Sequence, residues 1–195
     1  MSQLLSRDDI ITGLRGVIRE LQRRGYSGRI RVVGGAALAL RYFDRGVTTD
    51  VDAVDVRDGH NDKVAEAARV VARTHRWVPD WLNFEVTRID ALPVWGIDVE
   101  WETLYSKSGV TVEIPSPEAL LVMKLKASRR GRDAGDIRKL LAVCEMSDVA
   151  ELESLYQAFY PGEVLPSRAL TMLEKILAEG TPVAPGIVPR PDLRP

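Results

Sequence analysis

Apolar and polar positions alternate along this chain with two different periods. Ile10, Leu14, Val17, Ile18 and Leu21 recur at helical spacing and predict an amphipathic helix near the start. Ser6 followed by Asp9 is a capping-box pattern, acids fill the first turn, and Gly25 after Arg23 and Arg24 ends the helix. The polar face of that helix carries Arg15, Arg19, Arg23 and Arg24. Arg29 to Val33 then reads as a strand, Gly34-Gly35 breaks it, and Ala36 to Tyr42 reads as a short helix. Asp50 to Val56 is a second strand, and Asp62 to His75 returns to helical period through Val64, Ala67, Ala68 and Val71. Strand-like runs follow near Phe84 to Thr87, Ile97 to Trp101 and Val110 to Ile114. Ser116-Pro117-Glu118 opens a helix with Ser as N-cap and Pro at the first position. Three more helices are predicted, from about Asp133 to Cys144, Val149 to Tyr160 and Arg168 to Glu179. After Gly180 the chain is proline-rich and predicts a loose tail.

Strands dominate the middle and helices the end, which predicts an α/β or α+β class with a short mixed sheet. The expected organisation is a helix plus α/β core over residues 1–115, a helical part over 116–180 and a proline-rich tail over 181–195. The length of 195 residues fits one domain with an appendage, large enough to bury a core without disulfides or a structural metal. A formal net charge of -1 excludes a globally basic nucleic-acid binder but not a local basic face. Cys144 is the only cysteine, so no intrachain disulfide forms, and with only His60 and His75 a Cys/His zinc site is not expected. No apolar run reaches a membrane span, and the first residues lack a signal-peptide pattern, so a cytoplasmic protein is expected.

The candidate chemistry begins at Val32-Val33-Gly34-Gly35-Ala36-Ala37 and Thr48-Thr49-Asp50-Val51-Asp52-Ala53-Val54. Alternation along a strand puts Asp50 and Asp52 on one face, with Cα atoms about 7 Å apart, and Asp55 on the other. Two neighbouring carboxylates repel unless a cation sits between them, and Mg²⁺ favours carboxylates together with substrate phosphates. A Gly-Gly turn lets backbone N–H groups approach a phosphate, and a following helix start favours anions. Alone, a Gly-Gly pair is also a common tight turn and Asp-x-Asp a common solvated edge. Together they point to a nucleotide–metal site.

A second group is Leu120-Leu121-Val122-Met123-Lys124-Leu125-Lys126-Ala127 followed by Arg129-Arg130-Gly131-Arg132-Asp133-Ala134-Gly135-Asp136-Ile137. Lys124 follows five apolar residues, so it either snorkels to water or serves a charged ligand. Asp133 and Asp136, one helical turn apart, either orient Lys124 or pair with the nearby arginines. The loop Arg129, Arg130, Arg132 is the denser basic patch and the better candidate for phosphate contacts, and the arginine face of the first helix is read as solvated. Trp77, Trp81, Trp95 and Trp101 are expected to serve in packing, and Cys144 to be a buried helix residue.

Val33-Gly34-Gly35-Ala36-Ala37 and Arg45-Gly-Val-Thr48-Thr-Asp50-Val-Asp52 resemble the first two motifs of the AbiE-type nucleotidyltransferase-like toxins, within the DNA polymerase β-type nucleotidyltransferase superfamily. Met123-Lys124-Leu125 and Arg132-Asp133-Ala-Gly-Asp136-Ile137 resemble the later Lys and Asp motifs, and Asp80-Trp81-Leu82-Asn83 and Tyr160-Pro-Gly-Glu-Val-Leu-Pro166 resemble the MenT group. The resemblance runs from about Arg31 to Leu177. It implies a toxin of a toxin–antitoxin pair that adds nucleotides from an NTP, often a pyrimidine one, to the 3′ end of tRNA and so blocks translation. It also implies a cognate antitoxin as partner. Mg²⁺, with Mn²⁺ as a substitute, is the implied cofactor, and Thr48 matches a position phosphorylated in some members. The family uses a third carboxylate on a neighbouring strand, for which Asp98 is the candidate, with Glu100 on the same face as its substitute.

The expected machinery is Asp50, Asp52 and Asp98 on metal, Gly34, Gly35, Arg45 and Thr48 on the nucleotide, Lys124 as a cationic clamp and Asp136 to orient Lys124 or the incoming hydroxyl. Two other functions use the same residues: nucleotidyl or phosphoryl transfer to a protein partner, and a non-catalytic interaction module that has kept the fold.

Overall fold

The computed structural model describes residues 3–86, 92–93 and 96–195. The fold is α+β, with a five-stranded mixed sheet and seven helices among the described residues. The chain divides into two compact units, Met1–Ile89 with Trp101–Pro115 and Ile187–Pro195, and Asp90–Glu100 with Ser116–Gly186.

The first unit opens with α1 (Arg7–Arg23), and its start is the capping box that the sequence predicts. Asp9 N–H donates to Ser6 Oγ at 3.2 Å, and Ser6 N–H donates to Asp9 Oδ2 at 2.9 Å. Then come β1 (Gly28–Val32), the short α2 (Gly34–Ala37), a π-helical turn over Leu38–Tyr42, β2 (Val51–Val54) and α3 (Asn61–His75). β3 (Leu82–Asn83), β4 (Trp101–Lys107) and β5 (Val110–Pro115) complete the sheet. The strand order is β3-β2-β1-β5-β4, with β1 antiparallel to β2 and parallel to β5, and β2 parallel to β3. α1 buries Ile10, Leu14, Val17, Ile18 and Leu21 against α3 and the sheet. Gly13 makes room for the ring of Trp81, which is fully buried and donates its indole N–H to Ala68 O at 3.0 Å. Trp77 packs edge-on against Trp81, and Trp101 lies under the Arg31 guanidinium, so these three serve packing as expected. Trp95 lies outside the described residues.

Three expectations for this unit are corrected. The strand expected at Ile97 to Trp101 begins at Trp101 instead and runs to Lys107. The two-residue turn Ser108-Gly109, both at positive φ, closes a hairpin with β5. The strand expected at Phe84 to Thr87 is the shorter Leu82–Asn83, and Thr87 lies outside the described residues. The final segment is not loose: Leu193 and Val188 are buried, Arg7 donates to Pro189 O, and Arg15 Nε donates to Asp192 O at 2.8 Å. Proline stiffness and two apolar anchors let a segment without regular structure dock.

The second unit is helical: α4 (Pro117–Ala127), α5 (Ala134–Val143), α6 (Val149–Phe159) and α7 (Ser167–Ala178). α4 is apolar on every side and buried from Ala119 to Leu125, as a central helix must be. It packs on α5 and α6, and α7 packs on those same two helices. Ser116 Oγ accepts from Ala119 N–H at 3.3 Å as the predicted N-cap of α4.

Candidate functional site

In the first unit the site is built at one end of β1 and β2. Val33 N–H donates to Asp52 O at 2.9 Å, which sets the Gly-Gly turn beside the acid strand. Gly34 has φ +63, a conformation that a side chain disfavours. Asp52 Oδ2 lies 3.2 Å from where a Cβ on Gly34 would be. The Arg45 guanidinium sits on the next residue, with Cζ 2.8 Å and Nη1 2.9 Å from a Cβ built on Gly35. Arg45 Nη1 also donates to Val47 O at 2.9 Å. Successive glycines thus carry a carboxylate and a guanidinium in close contact, which no residue with a Cβ allows without movement.

Val51 is fully buried, and Asp50 and Asp52 on either side of it are half-exposed, the alternation that the sequence predicts. The strand proper starts at Val51, and Asp55 is exposed beyond its end. Thr49 Oγ1 donates to Asp50 Oδ1 at 3.2 Å. Thr48 is held by a two-bond bridge to the chain start: Leu5 N–H donates to Thr48 O at 2.6 Å, and Thr48 N–H to Leu5 O at 2.9 Å. Gly34, Gly35, Arg45 and Asp52 are therefore brought together. A pocket of about 330 Å³, lined by Arg29, Arg57, His60 and Thr111 among others, opens at the other end of the sheet, and none of the expected site residues lines it.

In the second unit, Lys124 does not snorkel. Its side chain is buried, and Nζ lies 2.8 Å from Asp133 Oδ1 and 2.9 Å from Asp136 Oδ2. Asp133 is fully buried and also takes Arg129 N–H at 2.8 Å and Arg129 Nε at 3.1 Å. Burial alone would raise the Asp133 pKa. The Arg129 and Lys124 bonds outweigh it and hold the carboxyl at about 2. Asp136 does orient Lys124, as one of the two expected options has it, and Asp133 shares that role. Of the basic loop, the Arg129 guanidinium is bound to Asp133, whereas Arg130 and Arg132 are exposed. The arginine face of α1 is largely spent on carboxylates: Glu20 pairs with Arg23 at 2.9 Å and Arg24 at 2.5 Å, and Arg24 also reaches Glu66. Cys144 is half-buried rather than buried, and burial with the nearby Glu118 charge pushes its thiol up to about 12.

Asp98 and Glu100 are not on a strand. Gly96 lies against the carbonyls of Ala158 and Phe159, and Ile97 N–H donates to Ala158 O at 2.9 Å. This segment bonds to the end of α6 at Ile97, and Glu100 O accepts Ser116 N–H at 2.9 Å. The placement of a third carboxylate on a sheet strand at Asp98 is corrected accordingly.

The donor chemistry of Asp50 and Asp52 suits a hard divalent cation. Among the described residues no group of three His, Cys, Asp or Glu side chains converges as a metal site. Two ions about 4 Å apart need more anionic ligands than this pair supplies, so the residues fit one Mg²⁺ arriving with phosphates and do not fit a closed two-ion set. The pairing of Asp52 with Asn83 appears only in the sheet register, and Asp133, expected to partner either Lys124 or the nearby arginines, takes both Lys124 and Arg129.

Comparison with known proteins yields no match among family models, curated proteins or solved structures.

Proposed function

We propose that this chain is a nucleotidyltransferase of the toxin type, moving a nucleotide from an NTP to the 3′ end of tRNA. The observation that carries this reading is the Gly34-Gly35 turn. The Asp52 carboxylate and the Arg45 guanidinium are pressed onto successive glycines there, with half-exposed Asp50 two residues before Asp52. The missing Cβ atoms let the Asp52 carboxylate and the Arg45 guanidinium sit against the turn, where a triphosphate and its cation would meet them. Arg45 offers a planar set of N–H donors suited to phosphate oxygens. Asp50 and Asp52 would hold Mg²⁺, which when bound supplies charge neutralisation at the phosphates and favours deprotonation of the attacking hydroxyl.

In the transfer, the RNA 3′-oxygen bonds to the α-phosphorus, the bond from that phosphorus to the β-phosphate bridge oxygen breaks, pyrophosphate leaves and the hydroxyl proton passes to water. Positioning and electrostatics carry most of the catalysis in such a step. Lys124 is assigned here as a positioning residue within its carboxylate cluster, and Arg130 and Arg132 as exposed contacts for RNA phosphates. A cognate antitoxin is the proposed protein partner. The chain has no helix long and apolar enough to cross a membrane among its described residues, in keeping with a substrate in the aqueous phase.

The test incubates the purified protein with total tRNA, Mg²⁺ and each of the four α-labelled NTPs, beside an Asp50→Ala control. Label in tRNA that is absent from the control is the expected result and names the nucleotide. Label in protein instead moves the acceptor to a polypeptide, and no label in either overturns the transferase reading.

A further inference from the structure

The segment Ile187–Pro195 belongs to the first unit and has no regular secondary structure, yet Val188, Pro191 and Leu193 are buried. It is tied down at two places that share one target. On one side, the Arg7 guanidinium of α1 bonds three carbonyls: Nε donates to Ala39 O at 3.0 Å, and Nη2 donates to Leu40 O at 3.3 Å and to Pro189 O at 2.5 Å. On the other side, Glu102 of β4 accepts Arg41 Nε at 3.0 Å and lies 3.9 Å from Arg190 Nη1, while Arg190 Nη2 donates to Thr103 O. Ala39, Leu40 and Arg41 are consecutive residues of the π-helical turn Leu38–Tyr42. One side chain from α1 and one from β4 thus bridge that turn to the adjacent residues Pro189 and Arg190.

The turn is the kind of element that needs holding. Its wide ring is closed by Phe43 N–H on Leu38 O at 3.1 Å, a form much rarer than the α-helical one and often found beside functional sites. It follows α2 and the Gly34-Gly35 turn without a break. The segment that holds it is itself separable from the core. Its bonds to Arg7, Arg15 and Arg190 lie at the surface, and residues 180–186 before it have no regular structure. Elements held by few apolar contacts and exposed bonds open at lower free energy than the core. We propose that residues 187–195 form a strap that locks the π-helical turn, and that release of the strap loosens this turn while α3 and the sheet stay folded. Strap and turn are coupled in this way whether or not the chain transfers nucleotides.

The test measures amide hydrogen exchange by mass spectrometry in the full chain and in Val188→Asp and Arg190→Ala, with Val183→Asp as the control. Val188 and Arg190 lie in the strap and touch no part of the glycine turn, and Val183 is exposed in the segment before it. Both variants keep Leu193, so thermolysin cleavage before that buried leucine reports an open strap. The expected result is faster cleavage at Leu193 in both variants, together with exchange at Leu38 to Phe43 accelerated ~10-fold or more. Exchange in α3 is expected to match the wild type, and Val183→Asp to change nothing. Faster cleavage with unchanged exchange at Leu38 to Phe43 makes the strap a passenger and overturns the proposal. Acceleration in α3 equal to that in the turn overturns it too, as general destabilisation. Cleavage at Leu193 unchanged in both variants means that the segment is no separable strap, with the same consequence. If Val188→Asp fails to fold, Arg190→Ala decides alone.

Discussion

The two charged clusters of this chain are built in opposite ways. Lys124, Asp133 and Asp136 are buried at 5%, 0% and 7% exposure, and their charges are satisfied within the cluster and by Arg129. Asp50 and Asp52 stand half-exposed beside a glycine turn that also carries the Arg45 guanidinium. A cluster whose charges are spent on one another holds its own fold, and the lysine in it is expensive to disturb. A pair of carboxylates kept at the solvent boundary holds its charges where a ligand can reach them, which is the role proposed for it. The lysine and the acid pair carry comparable weight as motifs, yet their surroundings assign them different work.

The sharpest way to break this comparison is to remove one partner from the buried cluster. Asp133→Ala leaves Lys124 with Asp136 alone and strips Arg129 of its acceptor. Breaking a buried pair typically costs about 3–5 kcal/mol. Urea denaturation is expected to show a loss of that order, against almost none for a matched change at Asp52. Comparable losses at both positions would erase the distinction.

Acid titration probes the same cluster more gently. The Asp133 carboxyl sits at about 2, below its ordinary 3.8. A lowered folded-state pKa means that the stabilisation is complete above pH 4 and is lost as the pH falls towards 2. The shift corresponds to roughly 2 kcal/mol. Unfolding midpoints of the wild type and Asp133→Asn between pH 5 and 2 are expected to converge as the pH falls. A constant gap across that range contradicts the assigned role.

These contrasts also show what a sequence can and cannot display. Local rules were sufficient for α1, whose Ser6–Asp9 box and Gly25 stop are one-dimensional signals, and for α4 to α7. The Asp50–Val51–Asp52 alternation was equally local. The length of β4 was readable in principle from Ser108-Gly109, a two-residue hairpin turn, but weak alternation in Trp101 to Lys107 concealed it. What stayed hidden was long-range. The pairing of Asp52 with Asn83 exists only through the parallel register of β2 with β3, and Ile97 N–H bonds to Ala158 O, distant in sequence at the end of α6. The docking of Val188 and Leu193 belongs to the same class, because nothing nearby in the chain marks their receptor. The candidate site was therefore legible where it follows one strand and illegible where it depends on a second.

The glycine turn gives the next prediction. Gly34→Ala meets both a left-handed backbone and the Asp52 carboxylate at 3.2 Å, for an expected cost of about 1–2 kcal/mol. Gly35→Ala meets only the Arg45 guanidinium, the far end of a flexible side chain that can swing away. Thermal melts should rank Gly34→Ala well below Gly35→Ala, while NTP binding falls in both, in the second through the displaced Arg45. Equal melts would mean that neither the left-handed backbone nor the approach of Asp52 penalises a Cβ at Gly34.

The smallest expected effect bears most directly on function. Asp50→Asn and Asp52→Asn keep side-chain size and each removes one charge of the half-exposed pair. Surface changes of this kind shift stability by about 0.5 kcal/mol or less, and relief of like-charge repulsion makes a slight gain as reasonable as a slight loss. Nucleotidyl transfer should nevertheless disappear in both variants, because an amide cannot replace the charge that holds the cation against the phosphates. A variant that melts with the wild type and has lost transfer places the acids outside the folding core and inside the chemistry. If instead either substitution lowers stability by several kcal/mol, Asp50 and Asp52 belong with Lys124 and Asp133 as structural charges, and the contrast between the two clusters collapses.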